Sequence, residues 1–264
     1  MSDADGATSS EAPASSTTGA KSKPAVDSSP MADAGQTQTE SSAPRISPWE
    51  HACQAAALFA VDPIGSAGIS VRALPGPVRD LWLDLLRELL PADKPFRRIP
   101  LHIADGRLLG GLDLSATLRA GRPIAERGLL AEADGGVVLL AMAERVAAST
   151  AAHLSAALDN HEVLVERDGI TARTPTRFGV IALDEGANDE EQLPHTLVDR
   201  FAMLLDLNAI AWRDALPPDY VPEDILAAGK RLAEVQVPET MLEAICGTAL
   251  GAGAWTPCAH RWPR

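Results

Sequence analysis

The chain of 264 residues has few aromatic side chains, few cysteines and no long apolar run. Aromatic residues make up 4% of the sequence, so aliphatic side chains and alanine must fill any core. No apolar run approaches the ~18–20 residues that a membrane-spanning helix needs. The N-terminus has neither the basic nor the apolar segment of a secretory signal peptide. The cysteines, Cys53, Cys246 and Cys258, form no CxxC pair, which predicts reduced thiols in a cytoplasmic protein.

Positive charge is also scarce, because 23 Lys and Arg residues stand against 36 Asp and Glu residues, for a formal net charge of −13. Nucleic acids and anionic membranes bind basic surfaces, so we expect no nucleic-acid partner and no membrane partner. The 6 histidines form neither an HxH nor an HExxH pattern, which argues against a metal centre. No GxSxG motif is present, which argues against the nucleophile elbow of a hydrolase.

The composition changes sharply near residue 46. Residues 1–45 are rich in Ser, Thr, Ala and Pro and contain little to bury, which predicts a disordered low-complexity tail. Beyond it, strand patterns alternate with helical spacing, as where Gly68–Leu74 is followed by a Pro-Gly turn and Val78–Leu90. The continuous apolar run Val137–Leu140 predicts a central parallel strand.

This alternation predicts an α/β domain over residues 46–220, a three-layer sandwich with a mostly parallel sheet. Within it, Glu162–Thr174 predicts a β-hairpin whose turn is Asp168–Gly169. A helix is predicted over Ala143–Leu158. Residues 221–250 predict two helices that form the start of a lid.

One stretch lies where a nucleotide-hydrolysing α/β protein binds phosphate. The turn from Ala73 to Asp80 lies between a predicted strand and a predicted helix, but it lacks the pattern GxxxxGK[ST]. Pro75 and Pro77 remove two N–H donors, and the Asp80 carboxylate would repel phosphate. The sequence therefore argues against nucleotide binding at this turn.

A second stretch, GVVLLAMAE, ends a strand where such a protein carries acidic residues. ATP hydrolysis needs one carboxylate near Mg²⁺ and another that polarises the attacking water. Ala141 and Met142 occupy these places and can do neither. Glu144 comes two residues later, and we expect it to face outward at the start of the next helix.

Two arginines lie beside core-like aromatic residues, Arg177 before Phe178 and Arg200 before Phe201. An isolated arginine is usually solvated or ion-paired. In oligomeric ATPases, however, an arginine near a domain edge reaches a neighbour's site and stabilises charge on the γ-phosphate. Arg200, near the end of an apolar helical segment, is the candidate for this role.

Four stretches together resemble a known family: PGPVRDLWL, LLGGLDLSATLRAGRPIAERGLLAEADGGVVLLAMAERV, ERDGITARTPTRFGVIALDEG and LVDRFAMLLDL. They closely resemble the D subunit of magnesium chelatase, over roughly residues 57–249. In that family the enzyme inserts Mg²⁺ into protoporphyrin IX, the step towards (bacterio)chlorophyll. An I subunit is the active AAA+ ATPase and an H subunit binds the porphyrin. The D subunit carries a related AAA+ domain, an acidic proline-rich linker and an integrin-like metal-binding domain.

The resemblance implies a P-loop-type AAA+ fold without its own ATP chemistry. When the chain is compared with the I-subunit pattern, Ala141 occupies the position of the Walker B aspartate and Met142 that of the following glutamate. Glu185 lies near the position of the sensor asparagine. Residues 73–80 replace the phosphate loop, whereas Arg200 keeps the arginine-finger position.

The function implied is that of a non-hydrolysing scaffold subunit of a nitrogen–metal ligase. The chain would bind no cofactor itself, while the complex uses ATP and Mg²⁺. Its partners would be the I-type ATPase subunit in a hetero-oligomeric ring and, indirectly, the porphyrin-binding H subunit.

The last segment departs from the family pattern. Residues 251–264, GAGAWTPCAHRWPR, fit neither a helix nor the linker, and predict a truncated or frameshifted product. The sequence leaves two alternatives open. The chain could be a regulatory or chaperone-like binding module derived from the AAA+ fold, or an active NTPase with an unorthodox site.

Overall fold

The computed structural model describes residues 46–167, 170–188 and 190–251. The predictions for the tail at 1–45, for the Asp168–Gly169 turn and for residues 252–264 lie outside these ranges. The helices and strands, in chain order, are α1 (Pro48–Val61), β1 (Gly68–Arg72), α2 (Pro77–Leu89), β2 (Phe96–Ile99), α3 (Asp105–Leu109), β3 (Gly110–Leu112), α4 (Leu114–Ala120), β4 (Ala125–Arg127), α5 (Leu129–Glu132), β5 (Val137–Leu140), α6 (Ala148–Asn160), β6 (Glu162–Arg167), β7 (Ile170–Pro175), β8 (Gly179–Asp184), α7 (His195–Val198), β9 (Met203–Asp206), α8 (Pro222–Leu232) and α9 (Glu239–Gly251).

The principal sheet has five parallel strands in the order β2-β5-β8-β1-β9. Strand β5 lies between β2 and β8, and all of its residues are buried, which confirms the central parallel strand predicted from its continuous apolar run. Two small antiparallel pairs, β3-β4 and β6-β7, lie outside this sheet. The second pair confirms the predicted hairpin.

Each face of the sheet packs against its own layer, because successive side chains of a strand point to opposite faces. Val137 and Leu139 of β5 belong to a core that contains residues of α1 and α2. Val138 and Leu140 belong to a second core, which contains residues of α6. The molecule is therefore a three-layer α/β sandwich, as the sequence predicted.

The first two helices are built for this arrangement. Helix α1 begins with a capping box, in which Ser47 Oγ accepts the Glu50 N–H at 3.1 Å and Glu50 Oε2 accepts the Ser47 N–H at 2.7 Å. Hydrogen bonds to the Glu50 carboxylate from the Ser47 backbone N–H and then from the Ser47 side chain lower the pKa of the Glu50 carboxyl. In α2, Trp82 is fully buried and its indole N–H donates to the Ala52 carbonyl of α1 at 2.8 Å. This bond fixes the two helices against each other.

The structure differs from the sequence prediction after β5. A helix was predicted over Ala143–Leu158, but Ala143–Arg145 forms a separate 3₁₀ turn and α6 begins only at Ala148. Met142 has φ of 49°, in the left-handed region, and turns the chain away from a continuous helix.

The end of the described chain forms two helices, α8 and α9, as predicted. Their role as the start of a lid stays a prediction. None of the described helices combines the length and apolarity needed to span a lipid bilayer.

Candidate functional site

The carboxyl ends of β1, β5 and β8 meet at one edge of the principal sheet. In open parallel sheets this edge is where ligands bind. The structure therefore brings together three of the predicted positions: the turn at residues 73–80 after β1, Ala141 and Met142 after β5, and Glu185 after β8.

The turn after β1 offers few N–H groups to a phosphate. The Ala73 N–H donates to the Asp184 carbonyl at 2.9 Å, and the Leu74 N–H donates to Asn208 Oδ1 at 3.0 Å. The two prolines of this turn have no N–H at all. A pocket of about 210 Å³ remains beside it, lined among others by Gly76 and Asn208. This volume is below the roughly 300 Å³ of the smallest typical ligand sites.

A cation does lie in this turn, at a position that the sequence analysis missed. The phosphate-loop pattern GxxxxGK[ST] has eight positions, as does the turn Ala73–Asp80. When the two are aligned, the lysine position of the pattern corresponds to Arg79. Arg79 Nη1 lies 3.1 Å from Glu185 Oε1, and the two side chains are 15% and 20% exposed. The positive charge at the lysine position is therefore paired inside the chain.

The end of β5 has no oxygen ligand at the two expected positions. Ala141 is buried and Met142 is partly buried, and neither side chain can coordinate Mg²⁺. Their place after the strand confirms where the sequence put them.

The prediction for Glu144 was wrong, because its side chain is turned inward and is only 1% exposed. Its Oε2 accepts the Glu185 N–H at 2.9 Å, across to the end of β8. Its Oε1 lies 3.4 Å from Arg145 Nε. The 3₁₀ turn after Met142 directs this side chain to the interior, where a continuous helix would have pointed it elsewhere.

Asp184 is a further carboxylate that the sequence analysis did not single out. It ends β8, is 6% exposed and accepts the Gly186 N–H through Oδ1 at 2.9 Å. Its Oδ2 lies 3.6 Å from Arg72 Nη1. The only signal in the sequence was its place at the end of an apolar strand.

These contacts decide whether the site fits ATP with Mg²⁺. Asp184, Glu185 and Glu144 are each committed to arginines or backbone N–H groups of the same chain. Among the described residues, no group of three His, Cys, Asp or Glu side chains is arranged to hold a metal ion. The residues present therefore do not fit a nucleotide–magnesium complex.

Arg200 lies at the opposite end of the strands, where they begin, between α7 and the start of β9. Ala202 beside it donates to the carbonyls of Ser66 and Gly68 at 3.1 Å, where β1 begins. The five residues of β1 rise about 3.3 Å each, so roughly 16 Å of strand separates this point from the turn at Ala73. Arg200 is thus far from the degenerate site of its own chain.

The Arg200 guanidinium is held in one orientation. Its Nε lies 3.0 and 3.1 Å from the two carboxylate oxygens of Asp159, and its Nη2 lies 2.5 Å from Oδ2. Nη1 donates to the Thr196 carbonyl. The side chain remains 27% exposed. Arg177, the other arginine considered, is exposed just before β8, and its backbone N–H donates to Asp134 Oδ1 at 2.8 Å.

Comparison with known proteins shows the relationships of this fold and site. The chain is 41% identical to the magnesium-chelatase 60 kDa subunit of Cereibacter sphaeroides over 193 residues, which are 73% of this chain and 31% of that protein. It is 36% identical to the 60 kDa subunit of Rhodobacter capsulatus over 186 residues, 70% of this chain and 30% of that protein.

The chain is a homologue of the magnesium-chelatase 60 kDa, or D, subunits. It spans less than a third of the length of these relatives. It is also similar to the magnesium-chelatase 38 kDa subunit of Rhodobacter capsulatus, at 27% identity over 61% of this chain and 52% of that protein. No family model matches the sequence.

The solved structures support the fold. A crystal structure from Cytophaga hutchinsonii, described as an ATPase, matches with a TM-score of 0.53 and 16% identity, and covers 75% of this chain and 63% of that one. The five-stranded parallel sheet with helices on both faces is thus the α/β fold that this solved structure shares, in agreement with the α/β fold class that the resemblance implied.

Proposed function

We propose that this chain is a non-hydrolysing scaffold subunit of magnesium chelatase, which supports ATP-driven insertion of Mg²⁺ into protoporphyrin IX. The similarity to the 60 kDa subunits carries this proposal, since it extends over 73% and 70% of this chain. The site at the carboxyl edge of the sheet supports the non-hydrolysing part, because its cation and its carboxylates are already paired. The complex, rather than this chain, uses ATP and Mg²⁺.

The partner is an I-type AAA+ ATPase subunit. Similarity to both the 60 kDa and the 38 kDa subunits means that two subunit types share this fold. Related folds can replace one another in a ring of head-to-tail interfaces, which close by rotation. A hetero-oligomeric ring in the cytoplasm is the arrangement that we propose, with contact to the porphyrin-binding H subunit only through the complex.

Arg200 is the residue through which this chain acts on its neighbour. Arg200 is too far from the degenerate site of its own chain to reach a nucleotide there, so it can contact only a nucleotide that is bound to a neighbouring chain. The carboxylate of Asp159 fixes its direction, so little rotational freedom is lost when the guanidinium meets a phosphate. A positioned arginine of this kind stabilises charge that develops on the γ-phosphate.

The first test compares Arg200→Ala with Arg177→Ala in a complex reconstituted with the I-type subunit. We expect Arg200→Ala to lower the rate of ATP hydrolysis at least about tenfold, since arginine fingers contribute up to about 10³–10⁵. Arg177→Ala removes an exposed arginine of the same charge and should leave the rate unchanged. Equal rates for wild type and Arg200→Ala would refute the arginine-finger role.

Two further outcomes bear on the subunit role itself. Failure of the chain to co-purify with an I-type subunit would overturn it and favour a free-standing regulatory or chaperone-like module. Tight ATP binding and turnover by the isolated chain would overturn the non-hydrolysing part and favour an active NTPase.

A further inference from the structure

The segment that carries Arg200 is too short to orient a long side chain by itself. Helix α7 has only four residues, His195–Val198, and Arg200 follows it before β9 begins. Two buried side chains, Leu197 and Phe201, fix the backbone of this segment in the second core. The orientation of the guanidinium therefore depends on groups that another element supplies.

Helix α6 supplies these groups from two residues that are one turn apart. Asp159 contacts the guanidinium directly, since Nε of Arg200 lies 3.0 and 3.1 Å from its two carboxylate oxygens. The Ser155 hydroxyl donates to the Thr196 carbonyl at 3.1 Å, and Nη1 of Arg200 donates to the same carbonyl. Because residues four apart lie on one face of a helix, both groups of α6 reach the same arginine.

A carboxylate at the position of Asp159 is unfavourable for the helix itself. Helix α6 ends at Asn160, so Asp159 lies in its last turn, and that turn contains no basic residue. The C-terminus of a helix carries a partial negative charge, which disfavours a second negative charge there. Arg200 supplies the compensating positive charge from outside α6. The position of Asp159 therefore suits the arginine rather than the helix.

We propose that Asp159 and Ser155 are positioning residues, which hold the Arg200 guanidinium in the direction in which it meets the nucleotide of a neighbouring chain. This inference rests on the proposed arginine-finger role. Asp159 fixes the guanidinium itself, and Ser155 fixes the carbonyl to which its Nη1 donates. Both belong to a helix that is packed into the second core through Leu154 and Leu158, and a rigid helix holds such a geometry more precisely than a loop does.

The charge of Asp159 has an opposing effect, which gives the test its sign. A carboxylate lowers the net positive charge beside Arg200, and this effect alone would make Asp159 inhibitory. Orientation outweighs it, because a misplacement of about 1 Å can cost roughly 100-fold in rate. Loss of Asp159 therefore lowers the rate if the carboxylate positions the arginine, and raises the rate if it only masks the arginine.

The experiment measures kcat and KM for ATP hydrolysis by the full chain reconstituted with an I-type subunit. We expect Asp159→Ala to lower kcat at least about fivefold, and by no more than Arg200→Ala does, with KM unchanged, because an arginine finger acts in the transition state. Asp159→Glu keeps the charge and should recover part of the rate. Ser155→Ala should lower kcat less, since Ser155 acts only through the Thr196 carbonyl.

Glu162→Gln is the matched control. It removes a carboxylate only three positions further along the chain, which lies 2.9 Å from an exposed arginine of the hairpin, Arg173. This variant should behave as wild type. Thermal unfolding and co-purification with the I-type subunit check that each variant is folded and assembled, and Asp159→Asn, which keeps the side-chain size, replaces the alanine variant if that variant does not fold.

A double-mutant cycle separates positioning from a purely structural role. In the Arg200→Ala background, Asp159→Ala should have no further effect on kcat, whereas a loss of folded protein would add to the first loss. The inference is overturned if Asp159→Ala raises kcat or leaves it unchanged while Arg200→Ala lowers it, or if the two losses add. An unchanged kcat in Ser155→Ala would overturn the role of Ser155. If Arg200→Ala itself has no effect, the arginine-finger role fails, and this inference fails with it.

Discussion

Replacing Gly68 by alanine should destabilise the domain and disturb the segment that carries Arg200. Gly68 is the first residue of β1, and a Cβ built there would lie 2.2 Å from Phe201 Cδ1 and 2.4 Å from Cε1. Carbon atoms in contact are about 3.5–4.0 Å apart, so the ring must move by more than ~1 Å. Because Phe201 is buried, its ring has little room to move. Phe201 also directly follows Arg200 in the chain, so a shift of Phe201 affects the segment that carries Arg200.

The magnitude follows from the cost of overpacking. Forcing an extra methyl group into a packed core costs about 1–3 kcal/mol. In a domain of this size each kcal/mol lowers Tm by about 2–4 °C, so we expect Gly68→Ala to lower Tm by roughly 2–12 °C. In a reconstituted complex, Gly68→Ala should also lower the rate of ATP hydrolysis, because displacement of the Phe201 ring shifts the adjacent Arg200.

Thermal unfolding followed by circular dichroism measures this effect. Gly247→Ala is the control, since nothing lies within 4 Å of a Cβ at that position of α9. It should be neutral or stabilising by up to about 1 kcal/mol, because alanine is the better helix former. Adding Phe201→Leu to Gly68→Ala should recover part of the loss, a coupling between two residues in contact. An unchanged Tm in Gly68→Ala would refute the reasoning.

Two further predictions concern the core between α1 and α2. Trp82→Phe should lower the free energy of unfolding by about 1–3 kcal/mol, measured by urea denaturation, because it removes the hydrogen bond to Ala52 and leaves a gap in the core; an unchanged urea midpoint would contradict this. Burial, with a smaller effect of the Glu50 carboxylate, raises the pKa of the Cys53 thiol to about 11. At pH 8 a thiol reagent should therefore modify the exposed Cys246 and spare Cys53, as peptide mapping would show. Since the folded pKa is above the unfolded value of about 8.5, this thiol stabilises the fold fully below pH 8.5 and loses that contribution as the pH rises through 11.

Local pattern was sufficient for the principal elements of the fold. The continuous apolar run Val137–Leu140 identified a strand buried on both faces, and the spacing over Val78–Leu90 identified α2. The break before α6 was not predictable in this way. An alanine-rich segment has a helical propensity throughout, and a tertiary contact of Glu144 competes with it.

In the candidate site, too, some features follow from residue identity and others only from the tertiary structure. The identities of Ala141 and Met142 exclude oxygen ligands at those positions wherever the side chains point. The direction of Glu144, by contrast, depends on the left-handed backbone at Met142, which a sequence pattern for a helix does not reveal.

The sequence by itself determined the α/β class, the central place of β5 and the missing ligands, because each depends on residue type and on short-range spacing. Only the tertiary structure decided how the charges are used. The parallel sheet brings Arg79 to Glu185 across 106 positions, and Asp159 to Arg200 across 41. The two residues of each pair are too far apart in the sequence for a helical or strand periodicity to predict their contact. The contact forms only because the order of the strands and the direction of the backbone bring the two side chains together.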